Sequence, residues 1–259
     1  MALIFLGSAF NALAEPSIQI ITAQHKHVVS VTDLLANKAL REIEIKNDVA
    51  YQKAMKFVGL PLHTLLPDLP KDASLQFIAI DGFVANIPVA SLQGKGQPYL
   101  AIEPLDKPWP ALKAGSALTA GPFYLVWLTP EKAGITNEQW PYQIAIIAES
   151  APLSERYPQI RPSPRANAAA LRGLQVYMTN CSVCHTINGG GDAELGPDLN
   201  RPHNPTEYFQ EAYLRKLIRQ PSAVRTWKQS VMPGFNTGAL AESDLNDLLA
   251  YLKAMAQQR

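Results

Sequence analysis

The sequence predicts a multidomain chain: a mainly-β (α+β) N-terminal domain over residues 17–150 and an all-α C-terminal domain over residues 166–259. Three observations carry this. Apolar and polar residues alternate in Glu42-Ile43-Glu44-Ile45-Lys46, the period of a half-buried strand. Leu171, Leu174, Tyr177 and Met178, and again Leu245, Leu248, Leu249, Leu252 and Met255, recur at helical spacing. Between the halves, residues 151–165 hold Pro152, Pro158, Pro162 and Pro164 and few apolar side chains. Such a linker is either an extended polyproline spacer or an ordered strap across both domains.

In the first half, Val28, Val29 and Val31 are clustered β-formers, and Leu75–Ile80 and Phe83–Ile87 flank Asp81-Gly82, a hairpin signal. Phe123–Leu128 and Gln143–Ala148 read as buried strands. Helical signals are short, at Thr32–Ala39 and Leu62–Leu66. Prolines punctuate residues 88–122 and predict loops there. In the second half, Ala168–Asn180 and Asp244–Ala256 are the amphipathic helices. Between them, Thr206 is set to cap a helix carrying Tyr208, Phe209, Ala212, Tyr213, Leu217 and Ile218, which ends before Pro221.

Composition excludes some classes of function. The formal charge is +1, so no basic field points to nucleic acid or anionic lipid. No apolar run reaches membrane-spanning length. Residues 1–14 are mostly apolar and end Ala12-Leu13-Ala14, a small-x-small cleavage pattern. They predict a signal peptide that leaves Glu15 first, although a positive leading segment is missing.

The chemistry concentrates in Cys181-Ser182-Val183-Cys184-His185. Two cysteines two residues apart can each add across a haem vinyl group, and the adjacent histidine can bind the iron. A structural zinc site needs a second ligand pair, and these are the only cysteines in the chain. A thioredoxin-like pair follows a strand, whereas a helical pattern precedes this one. Residues 166–259 resemble a class I cytochrome c domain. Gly173 and Tyr177 match the helix leading into C-x-x-C-H, Gly196-Pro197-Asp198-Leu199 matches the segment beside the proximal histidine, and Met232-Pro233-Gly234-Phe235 matches the distal loop. The resemblance implies one covalent haem c on Cys181 and Cys184, His185 and Met232 as iron ligands, and a Pro197 carbonyl that accepts from the imidazole. It also implies export to the periplasm and redox partner proteins there. His203 competes with Met232, and Trp227, Arg201, Arg225 and Lys228 are candidate propionate contacts. His25, His27 and His63 read as surface residues.

The first domain resembles the molybdopterin-binding domain of the sulfite oxidase family at Val58-Gly59-Leu60-Pro61-Leu62, at Asp81-Gly82-Phe83 with Ile87-Pro88-Val89, and from Gly121-Pro122 to Ile147. That family ligates molybdenum through a cysteine placed before the G-x-P-L segment, and here Ile45–Val58 contains none. Lys46, Lys53, Lys56 and Lys95 form no phosphate-binding cluster. The domain therefore reads as a degenerate, metal-free member serving as a docking or scaffold module, and the protein as an electron carrier rather than an enzyme. The alternatives are a cytochrome-fused sulfite dehydrogenase and an assembly module of a periplasmic redox complex.

Overall fold

The computed structural model describes residues 15–193, 195–226 and 231–258. The signal-peptide expectation for residues 1–14 and the contacts expected of Trp227 and Lys228 lie outside them. The first half is built on two sheets. One runs β2 (Lys26–Ser30), β1 (Ser17–Ile21), β9 (Ile144–Ser150), β5 (Ser74–Ala79), β6 (Val84–Pro88). It is antiparallel except where β1 lies parallel to β9. The other runs β3 (Arg41–Ile45), β4 (Met55–Pro61), β7 (Pro98–Ile102), β8 (Phe123–Trp127), antiparallel throughout. Short helices α1 (Val31–Leu35), α2 (Leu62–Leu65) and α3 (Val89–Leu92) connect them.

The burial follows from the side chains. In β3, Ile43 and Ile45 turn inward and Glu42 and Glu44 outward, whereas all five residues of β8 are buried. Residues 88–122 are not all loop as their prolines predicted. Strand β7 sits at the centre of its sheet because Pro98 opens it, where a missing N–H costs least. Val31 begins α1 instead of ending a strand, since the Ser30 hydroxyl accepts from the Asp33 N–H and caps the turn.

The second half holds α5 (Ala168–Asn180), α6 (Pro205–Tyr208), α7 (Glu211–Arg219) and α8 (Glu242–Ala256). Asn204, not Thr206, caps α6, and it shares a capping box with Glu207. The single helix expected across 206–220 is broken at Phe209-Gln210, leaving Tyr208 and Tyr213 exposed. Helices α5 and α8 cross at Gly173, where a Cβ would overlap the Asp247 carbonyl. Ala170, Leu174 and Tyr177 make the buried face of α5, and Leu171 is exposed. Arg172 grips Asp247 through two bonds of 2.6 and 2.7 Å beside the crossing.

Residues 151–165 form an ordered strap. It contains α4 (Leu153–Arg156) and a 3₁₀ turn at Pro158–Ile160. Leu153 and Ile160 are buried in the helical core, where Tyr251 donates to the Ile160 carbonyl at 2.7 Å. Arg156 joins the halves: it donates to both oxygens of Asp192 at 2.6 and 2.7 Å and to Asn86 on β6 at 2.8 Å. Asn86 and Tyr157 also donate to Asp192, at 3.0 Å each.

Two outcomes follow from these contacts. In Gly173→Ala, overpacking of about 1–3 kcal/mol outweighs the roughly 1 kcal/mol by which alanine is the better helix former, so thermal melting falls below wild type. Burial raises the pKa of Asp192, but Arg156, Asn86 and Tyr157 outweigh it and hold the carboxyl below its ordinary range. A depressed carboxylate pKa stabilises the fold above the unfolded value of about 3.9 and loses that contribution as pH falls through the folded value. The opening free energy read from amide exchange at Val84, whose N–H crosses the domain junction, once the intrinsic exchange rate at each pH is divided out, is therefore flat near neutrality and falls below about pH 4. Arg156→Ala lowers it at neutral pH by about 1–2 kcal/mol.

Candidate haem site

The end of α5 winds directly into the cysteine pair. Cys181 and Ser182 both donate to the Tyr177 carbonyl at 2.9 Å, and Cys184 and His185 donate back to the Cys181 carbonyl at 3.1 and 2.9 Å. This extra turn points both thiols and the imidazole into one cavity of about 270 Å³. Leu214, Leu217, Ile218, Leu248 and Leu252 supply apolar wall, and Met232 enters from the loop after α7.

His185 is fixed on two sides. Its Nδ1 lies 2.7 Å from the Pro197 carbonyl, which can only accept, so Nδ1 carries the proton and Nε2 keeps its lone pair. Burial lowers the imidazole pKa despite that bond, favouring the neutral form. Gly196 presses on the ring closely enough that a Cβ there would overlap it. The segment is held in turn by Gly196 donating to Cys184 at 2.7 Å and Leu199 to Thr186 at 2.8 Å.

Around it runs a polar frame that sequence reasoning missed. Asp198 accepts from the N–H groups of Gly189, Asn200 and Arg201 at 2.7, 2.8 and 2.9 Å, and from the Thr186 hydroxyl at 3.1 Å. Burial raises its pKa, and these donors outweigh that, leaving it lowered. Asn204, Asn200 and Asn188 form a ladder whose amides donate to the carbonyls of Leu252, Met255 and Gln258, satisfying the end of α8. Asn204 also donates to Asn200 and Asn200 to Asn188, at 2.9 and 2.7 Å. No pattern in the sequence marks Asn188 and Asn200, because their partners are backbone groups of a distant helix, whereas Asn204 falls in the N-x-x-E capping pattern of α6.

The distal loop is anchored by Arg219, which donates to Phe235 at 2.9 Å and to Leu240 at 2.5 Å, while the Phe235 N–H reaches Ile218 at 3.0 Å. Gly234 lies against the Arg219 carbonyl. Of the other sequence candidates, Arg225 reaches the cavity wall, whereas His203 is exposed and outside it. His25, His27 and His63 are exposed, and no group of three metal-binding side chains occurs among the described residues.

The donor set suits haem better than the competing chemistries. Burial pushes both thiols up to about 12, opposite to the lowered thiol pKa of redox-active pairs. Asn180, in the wall beside Cys181, has an Oδ1 that is buried with no partner among the described residues. The family model for cytochrome c matches residues 170–256. The C-terminal part of this chain is thus a cytochrome c domain, joined to a sheet-rich N-terminal domain. No helix among the described residues is long and apolar enough to cross a membrane.

The N-terminal domain takes part in the site. Val183, between the two cysteines, is buried in the N-terminal core, and its carbonyl accepts from Val84 at 3.2 Å. Glu138, on the 3₁₀ turn Asn137–Gln139, lines the same cavity.

Removing one rung of the ladder tests the frame. Asn200→Ala leaves the Met255 carbonyl and Asn188 Oδ1 without their buried donor, which costs about 2 kcal/mol or more. Urea denaturation of the purified protein measures it as a lower midpoint with an unchanged slope.

Proposed function

We propose that this protein is an exported, periplasmic one-electron carrier. A single haem c would be held through thioethers to Cys181 and Cys184, with His185 and Met232 holding the iron. One observation carries the reading: Cys181, Cys184, His185 and Met232 line one apolar cavity, and Pro197 fixes the imidazole so that its free nitrogen is available for iron. When bound, the haem supplies the ferric/ferrous couple. A thioether from Met232 and a neutral imidazole from His185 would hold the iron and would raise the potential over two histidines. His203 is unsuited to the distal role because it is absent from the cavity wall.

The N-terminal domain is a sulfite oxidase-like fold kept as scaffold and docking module. Neither cysteine lies in it to ligate molybdenum, since both are in the attachment loop. Its core instead holds that loop through Val183. Its partners are periplasmic donor and acceptor proteins.

Expression with haem maturation tests this directly. Wild type keeps its haem through acid–acetone extraction and shows the ferric Met-to-iron charge-transfer band. Cys181→Ala/Cys184→Ala loses the haem. Met232→Ala loses the band, opens the iron to cyanide and CO, and lowers the potential. An intact band in Met232→Ala, with its loss in His203→Ala, would move the distal role to His203. In a host making molybdenum cofactor, the protein carries haem iron and no molybdenum. Sulfite-dependent haem reduction there would establish the dehydrogenase alternative instead.

A further inference from the structure

Glu138 has no part in attaching or ligating a haem, yet the fold fixes it at that cavity. The Thr136 N–H donates to Gln139 Oε1 at 3.0 Å, closing the turn on itself. The Trp127 indole donates to the Gln139 carbonyl at 2.8 Å, pinning the turn to β8. Its other contacts are with α5 and β6. Glu138 itself is half-buried and makes no hydrogen bond or ion pair among the described residues.

Among the described residues no cation offsets its burial. Tyr142 stands beside it on the same segment, and Asp81 beyond Tyr142 is of like charge. Cys181 and Cys184 face it from α5 and the attachment loop, and become uncharged thioethers on haem attachment. The Tyr177 hydroxyl on α5 donates to the His185 carbonyl. On the β6 side, Asn86 is engaged by Arg156 and Asp192. Elsewhere on the cavity wall, burial lowers the pKa of His185, and Arg225 lies over the Phe209 ring at 5.8 Å. Burial alone pushes Glu138 up to about 7.

An acid on this wall senses the charge of the iron. The ferric centre carries one more positive charge than the ferrous, so it favours carboxylate, while the ferrous centre favours the neutral acid. By linkage, whatever oxidation state does to the acid, the acid does to the potential.

We propose that Glu138, supplied by the N-terminal domain, is a redox-linked proton acceptor that makes the potential of the C-terminal centre pH-dependent. The inference rests on the haem assignment above. As one electron arrives from a donor protein and ferric iron becomes ferrous, the carboxylate of Glu138 takes one proton from solvent. Oxidation returns both. Glu138 acts on the centre through charge and is a positioning residue, not a catalytic one.

Spectroelectrochemical titration of the full-length, haem-loaded protein from pH 5 to 9 tests it. The wild-type midpoint falls as pH rises between the ferric-state and ferrous-state pKa values of Glu138. The steepest slope approaches a tenfold change in the ferric/ferrous ratio per pH unit, about 59 mV for one electron. Glu138→Gln removes that slope and holds the midpoint near the wild-type low-pH value, whereas Glu138→Asp keeps a slope. A second reading needs no Gln variant: the reduced-minus-oxidised infrared spectrum of wild type gains a protonated-carboxyl band that shifts in Glu138→Asp. A haem-loaded wild type with a pH-independent midpoint, a Gln variant with the wild-type slope, or no such band overturns the proposal. Failure of wild type to hold covalent haem would overturn the haem assignment instead.

Discussion

The attachment loop is shared by two cores, and the rest of the structure depends on that constraint. Val183 is 2 % exposed and packs with the sheets of the N-terminal domain, while Tyr177 just before it belongs to the helical core. A C-x-x-C-H loop is short, so its middle residues must face away from the cavity its cysteines enter. Here that outward side is covered rather than wet. Burying a valine contributes about 1.5–3 kcal/mol, and the Val84–Val183 hydrogen bond adds register. The domains are thus docked at the residues that carry the chemistry.

That docking explains the polar frame around it. Covering the loop from outside and pressing α8 against it from inside leaves backbone groups without water. Each would be expensive unpaired, and each has a specific remedy: the Asp198 hub for the turn after His185, the asparagine ladder for the carbonyls ending α8, and Arg219 for the distal loop. The Arg156–Asp192–Asn86 cluster does the same between domains, because a half-buried aspartate at the junction needs a charged partner. Polar residues here determine where chain segments can lie, while apolar ones supply most of the energy.

The parts legible in the sequence were those with a local signature. Helices α5 and α8 announced themselves by period, and Cys181, Cys184, His185 and Pro197 by spacing and order. Strand β7 was hidden because the prolines around it are a loop signal, and only its place in the sheet shows that Pro98 is tolerated. Asn204 outcompeted Thr206 as a cap because its side chain could serve the Thr206 N–H and the α8 carbonyl together. Glu138 lies in Thr136-Asn137-Glu138-Gln139, where the T-x-x-Q capping pattern was available to mark a turn. No local pattern reveals that the turn faces a cavity lined by another domain.

This arrangement also bears on why a sheet-rich domain without a thiolate would be retained beside an electron carrier. A redox centre whose attachment edge is open to water has its charge screened, and an acid near it is levelled toward its ordinary pKa. Covering that edge lowers the local dielectric, strengthening every remaining charge interaction. It favours the less charged ferrous form and gives one unpaired carboxyl disproportionate influence. The β domain therefore need bind no cofactor of its own to affect the chemistry, because its contribution is the environment it imposes on its neighbour.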